Sequence, residues 1–262
     1  MQGVRYYFNG SNENIEIKEC SSALHSTKAH FHDEISVGLI ERGECRSKIG
    51  GVSYEFKDKT LLVIPPEIVH NCSPYDIGQW DFKMLYINSQ WFEDSFGVDT
   101  TKLSVFCKRL DNGSFAQIAE IFENMNEYRS SLEDEAEFLM KLSNVMSMNK
   151  VDREKDVTQG MRKLREYIHS NYLQGLMLED LERVSGLSKY CLMREYKKHY
   201  GMSPHQYITA LRINHSKAIM KKDISILEAA LQSGFYDQSH FTKSFKKYLG
   251  LTPLAYKNSI KL

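Results

Sequence analysis

The sequence predicts an α+β protein: a small β-barrel of jelly-roll type with helices packed on it, followed by an all-α region holding two helix-turn-helix units. Three observations predict this. Short apolar or alternating runs broken by Gly and Pro fill the chain up to about Leu85, the pattern of a small barrel. Helical spacing replaces that alternation after Asn88. The last third of the 262 residues then repeats itself in register.

Ile15-Glu16-Ile17 alternates as a strand does, and Ile35 to Ile40 is a mostly apolar run. Gly50-Gly51 supplies a hairpin turn before Val52 to Phe56, which alternates again. Leu61 to Ile64 ends at Pro65-Pro66, which cannot continue a central strand because proline brings no N–H to the ladder. Beyond Asn88, Phe115, Ile118, Ala119, Ile121, Phe122 and Met125 recur at helical spacing. Ser131, with Asp134 and Glu135 in the first turn, suits the start of a second helix through Phe138, Leu139, Leu142, Val145 and Met146. Both helices should pack on the barrel and leave one apolar stripe for a partner copy, so a homodimer through helices within 115–148 is expected. The charged, aperiodic stretch Asn149–Asp156 is the linker candidate, dividing residues 1–150 from 151–262.

Beyond it everything reads as helix. Met161 to Ile168 gives the first helix and Leu178 to Ser185 the second. Ser188 can cap a third, which stops at Gly201. A long helix from Pro204 to about Lys221 bridges to Ile226–Ser233, then to a helix capped by Asp237 and ending before Gly250, then to Pro253–Ser259.

The repeat is specific. Gly186-Leu187-Ser188, Leu192, Tyr196, Lys197-Lys198, Gly201, Ser203-Pro204 and Tyr207 match Gly234-Phe235, Phe241, Phe245, Lys246-Lys247, Gly250, Thr252-Pro253 and Tyr256. The glycines lie 48 residues apart and the pairs from Leu192/Phe241 onward 49 apart, so one extra residue, Tyr236, sits in the second turn.

Lysine plus arginine equals aspartate plus glutamate at 34 each, which alone would argue against nucleic acid. The sum hides an asymmetry. From Asp156 onward there are 17 basic and 9 acidic residues, so a basic half follows an acidic one, and Lys and Arg facing phosphates release condensed counterions. The five cysteines are scattered without a C-x-x-C pair, which fits a reducing cytoplasm and neither a disulfide frame nor a cysteine zinc site. No run approaches the ~20 apolar residues of a membrane helix, so no membrane partner is expected.

In a helix-turn-helix the second helix enters the major groove. Leu187, Leu192 and Tyr196, and Phe235, Phe241 and Phe245, must face the core. The opposite face offers Lys189, Tyr190, Met193, Arg194 and Lys197 in the first unit and Gln238, Ser239, Thr242, Lys243 and Lys246 in the second. Arg194 can pair bidentately with guanine and Gln238 with adenine, while Tyr190 and Met193 suit thymine methyls. Lys197, Lys198, Lys246 and Lys247 are placed for phosphates. Solvated basic faces are the ordinary reading of such helices; two copies in register favour double-stranded DNA.

Residues from about Thr158 to Asn258 resemble the DNA-binding domain of the AraC/XylS family of bacterial transcription regulators. The resemblance rests on Arg212-Ile213, Ala218, the long stretch Ala229 to Pro253 and the matching pieces of the first unit. It implies two helix-turn-helix units joined by a helix, binding asymmetric sites near promoters. On the family pattern Tyr190, Met193, Arg194, Gln238, Ser239, Thr242 and Lys243 fall where base contacts are usual.

His30-Phe31-His32 ends a presumptive strand and His70 follows Pro65-Pro66-Glu67. Two histidines at i and i+2 share a face, and a third from a neighbouring strand can converge on them, so a histidine-only metal site is geometrically possible. The segment looks like the cupin barrels often found in this family, whose enzymatic members add a glutamate ligand. Here Glu34 comes too early, Glu41 too late, and Ser36 and Val37 stand in between. The expectation is therefore no cofactor and no metal, with His30, His32, His70 and Trp80 lining the pocket of a small-molecule effector and Tyr54 and Tyr86 facing outward. The reading that results is a cytoplasmic, non-enzymatic, effector-controlled transcription regulator, with RNA polymerase as a partner if it activates. Its rivals are a metal-dependent cupin enzyme with a DNA-binding appendage and an architectural DNA binder that senses nothing.

Overall fold

The computed structural model describes residues 3–9, 12–23, 28–126, 136–142, 157–222 and 224–260. Within them nine strands build two antiparallel sheets: β1 (Gly3–Asn9), β2 (Asn12–Ser21), β3 (Ile35–Arg42), β4 (Cys45–Ile49), β5 (Val52–Phe56), β6 (Thr60–Ile64), β7 (His70–Pro74), β8 (Asp81–Ile87) and β9 (Phe106–Arg109). The larger sheet runs β1-β2-β8-β3-β6-β9 and the smaller β5-β4-β7. Ile49 pairs with Val52, and the Gly50 and Gly51 between them take φ of 56° and 88°. Positive φ at both positions is what a two-residue hairpin turn needs, because it matches the twist of the flanking strands.

The period of two decides what each face of the larger sheet meets. Ile15, Ile17, Val37, Val63, Leu85 and Ile87 point to one side, where α1 (Ser89–Phe96), α2 (Asn112–Asn126) and α3 (136–142) cover them through Phe92, Phe122, Met125, Phe138 and Leu139. Leu62, Phe82, Met84 and Tyr86 point to the other side and meet Phe56 and Ile49 of the smaller sheet. Burial of such side chains contributes about 1.5–3 kcal/mol each relative to exposure.

Several expectations are corrected here. The strands β1, β4, β7, β8 and β9 and the helix α1 are not among the elements singled out in the sequence; β7 and β9 are too polar to show an apolar run. Leu139 and Leu142 are not on a partner-facing stripe: both are buried against the chain's own sheet. Tyr86 does not face outward; it is buried inside the barrel. The proposed linker at 149–156 and the helix start at Ser131 lie outside the described residues.

The C-terminal region folds as α4 (Gln159–Asn171), α5 (Leu178–Ser185), α6 (Lys189–Tyr200), α7 (Pro204–Met220), α8 (Ile226–Gln232), α9 (Gln238–Leu249) and α10 (Pro253–Ser259). The glycines that follow α6 and α9, Gly201 and Gly250, take φ of 74° and 87° and close the last turns. Asp237 caps α9 by accepting from the His240 N–H at 2.7 Å. Ser188 holds the same position before α6 but makes no capping bond; the Glu182 carboxylate takes the Lys189 N–H instead. The bridging α7 buries Tyr207, Leu211, Ile213 and Met220 on several sides, since it packs on both helix-turn-helix units and also on the barrel.

Candidate nucleic-acid interface and sensor cavity

On α6 the side that carries Leu192 and Tyr196 is fully buried, which leaves Lys189, Tyr190, Met193, Arg194, Lys197 and Lys198 exposed. Tyr190 is a large aromatic ring left 85% exposed. On α9 Phe241 and Phe245 are buried, while Gln238, Ser239, Lys243, Lys246 and Lys247 are exposed; Thr242 is half-buried at the edge of that face. The extra residue of the second turn, Tyr236, is 82% exposed. Both second helices thus present a polar, basic side whose N-terminal residues can enter a groove and whose C-terminal lysines can meet phosphate. Arg194 Nε donates to Glu195 Oε1 at 3.1 Å, while its side chain stays largely exposed.

The barrel interior holds a cavity of about 40 Å³ lined by His30, His32, His70, Trp80, Phe82 and Tyr86, among others. His30 and His70 sit opposite one another in an antiparallel bridge, their amides exchanging bonds of 2.9 and 2.8 Å. His32 follows in irregular chain, so the expected strand end is a single bridge. All three rings are buried. Burial holds their imidazoles neutral: His70 is lowered to about 4, and His30 and His32 fall well below the ordinary value, with neighbouring histidines and Lys18 adding to the effect. Lys18 is itself buried in this interior, and desolvation lowers its ammonium to about 7.

Sequence reasoning missed the seam between barrel and helices. Lys217 of α7 reaches Glu16 Oε2 at 2.8 Å and Glu34 Oε1 at 3.0 Å, with the Lys217 and Glu16 side chains both 4% exposed. Burial alone would lower the Lys217 ammonium, but Glu16 and Glu34 outweigh it and raise it. Tyr256 Oη donates to Glu16 Oε1 at 2.5 Å, Asn214 Nδ2 to Asp33 Oδ1 at 2.9 Å, and Tyr6 Oη to the Leu249 carbonyl at 3.2 Å. Arg165 pairs with Glu67 across the same seam. A second cavity of about 390 Å³ lies here, lined by Glu16, Glu34, Tyr86, Lys217 and Tyr256 among others. Tyr86 therefore forms part of the wall of both cavities, and Lys217 Nζ stands 4.9 Å from its ring. Sequence carried no signal for it: alternation with Ile15 and Ile17 puts Glu16 on the face opposite theirs, where a lone carboxylate reads as solvated, and only the fold turns that face inward.

A barrel enclosing a cavity and docked onto two helix-turn-helix units is the architecture of a DNA-binding regulator with a ligand-binding domain. Residues 14–142 match the AraC-like ligand binding domain and residues 181–259 a helix-turn-helix domain. The probable transcription factor PqrA of Proteus vulgaris is 33% identical over 87 residues, 33% of this chain and 71% of that one. The HTH-type transcriptional regulator YbfI of Bacillus subtilis is 28% identical over 237 residues, 86% of this chain and 85% of its own. Among solved structures, ToxT of Vibrio cholerae, bound to an unsaturated fatty acid, superposes with a TM-score of 0.61 at 16% identity over 96% of this chain and 97% of that one, a likeness of fold. The chain belongs to the AraC/XylS family: it is an AraC-type transcription regulator with an N-terminal ligand-binding domain and a C-terminal helix-turn-helix DNA-binding domain.

Proposed function

We propose that this regulator is a cytoplasmic, non-enzymatic protein that reads specific DNA sequence through α6 and α9 and whose grip on DNA is set by a small molecule in the barrel. The observation that carries the reading is the exposed residue set Tyr190, Met193, Arg194, Gln238 and Ser239 on two helices otherwise locked by buried aromatic residues. Side chains with hydrogen-bonding forks or flat apolar faces, held on a rigid element, suit base edges. If α7 holds both helices on one face, they enter successive grooves about 34 Å apart.

For the effector, the apolar wall of Phe56, Leu62, Phe82, Met84 and Trp80 against the His30–His32–His70 side favours a ligand with an apolar body and one polar end. ToxT carries an unsaturated fatty acid in the structure compared above, which supports an organic effector. A cavity of about 40 Å³ holds no such body without side-chain movement. Tyr86 stands in the wall that has to yield, and its displacement would press on Lys217 and the seam. Ligand and DNA affinities are then linked reciprocally. A homodimer through the partly exposed residues of α2, such as Phe115 and Ile118, remains the proposed assembly, and RNA polymerase is a further partner where the protein activates. Selection of duplexes from a random pool by the purified protein tests the core of this reading. An asymmetric motif about two helical turns long is expected; a pool that stays random after repeated rounds would refute sequence-specific recognition.

A further inference from the structure

We infer that the barrel interior binds one divalent transition-metal ion through His30, His32 and His70. Their nitrogens lie within 4.8 Å of one another, and all three residues are buried. The orientation of two rings is fixed from outside. His30 Nδ1 donates to the Lys28 carbonyl and His70 Nδ1 to the Ile68 carbonyl, each at 2.8 Å. A carbonyl can only accept, so both rings carry their proton on Nδ1 and their lone pair on Nε2. A hydrogen bond from the distal ring nitrogen to a carbonyl is the arrangement that orients metal-ligating histidines and raises their basicity.

His32 supplies the independent sign. It is 3% exposed, yet neither of its ring nitrogens has a hydrogen-bond partner among the described residues. A buried polar group left unpaired is destabilising, and a metal–nitrogen bond would remove that cost. Its ring centre lies 5.1 Å from that of His30 and 5.3 Å from that of His70.

The sequence spoke against a metal because no carboxylate falls at the fourth position. Three neutral imidazoles with an open fourth position are nonetheless a complete set for zinc or its neighbours, the last site being filled by water or by a donor atom of a ligand. The cavity of about 40 Å³ beside the triad has room for such an atom. The positive charges nearby are manageable. Lys217 is neutralised by Glu16 and Glu34, and the Lys18 ammonium lies over the Tyr6 and Phe82 rings, 5.3 and 5.4 Å from their centroids. Cys72, on the same wall, contacts Ser47 Oγ at 3.8 Å and is not part of the converging set.

The ion site goes beyond the effector reading, and its test needs neither effector nor DNA. Untagged full-length protein is stripped with chelator and dialysed against Zn²⁺ or Co²⁺. One ion per chain is expected, with the visible absorption of tetrahedral Co²⁺, and binding should weaken at least about 100-fold in His32→Ala and His70→Ala, beyond the 10–100-fold typical of outer-shell changes. Should those variants not fold, X-ray absorption of the zinc-loaded wild type decides the point. Three imidazole nitrogens at about 2.0 Å support the site. Absence of stoichiometric binding, or binding unchanged in both folded variants, overturns it. Duplex selection by the same preparation tells this failure apart from failure of the DNA-binding reading.

Discussion

Arg194 and Lys247 lie on matching helices and are assigned opposite tasks. The Arg194 guanidinium can present two parallel donors to guanine, so Arg194→Ala should cost about 1–3 kcal/mol at a selected site and relax preference at one base pair. Lys247, near the C-terminus of α9, meets phosphate in this account, and Lys247→Ala should weaken cognate and random duplexes alike while lowering the salt slope by about one. Titrations of both variants on both duplexes check this; equal losses on the two duplexes for Arg194→Ala would remove its reading role. The exposure of these residues was legible in the sequence because duplication supplied the register: matched core positions in two copies fix which side of each helix is left over. The histidine cluster was legible only as an option, because the convergence of His32 depends on the path of irregular chain after the His30–His70 bridge. The burial of Tyr86 was misread for a related reason, since a shift of one residue in register sends a side chain to the other face of a sheet.

The two helix-turn-helix units differ in how tightly their turns are packed. Gly186 and Gly234 both take left-handed φ, 69° and 79°. A Cβ at Gly186 would meet nothing within 4 Å, whereas at Gly234 it would fall 2.7 Å from the Leu173 carbonyl oxygen. Gly186→Ala should therefore cost only the strain of the left-handed conformation, about 1–2 kcal/mol. Gly234→Ala should cost distinctly more, because backbone must move as well. Urea unfolding of the two variants measures this, and equal losses would contradict the packing described. At this scale the long helices were predictable from spacing, caps and Gly stops. The short strands β7 and β9 were not, since polar residues such as Asn71, Ser73 and Lys108 give them no apolar pattern, and tertiary pairing alone makes them strands; β4 does alternate, with Arg46 and Lys48 exposed between Cys45, Ser47 and Ile49, but the polar Ser47 masks the period.

For the whole molecule, the seam around Lys217 joins the barrel to the helix that bridges both helix-turn-helix units. Lys217→Ala would leave Glu16 buried without its cation. Loss of one partner of a buried pair costs about 3–5 kcal/mol, whereas replacing both by apolar or neutral groups of similar size is often neutral. Lys217→Ala should thus lower unfolding free energy by that amount, and Lys217→Met with Glu16→Gln should recover most of it. A loss below about 1 kcal/mol for the single variant, the scale of an exposed pair, would show that the seam does not hold the domains together. None of this was visible in sequence, because Glu16 and Lys217 are 201 residues apart and each alone reads as a solvated charge. Genome-wide mapping of bound DNA in the source cell tests sequence-specific control of genes by both units. Peaks that share an asymmetric motif about two helical turns long and lie beside promoters are expected; bound DNA without a common sequence would rule such control out.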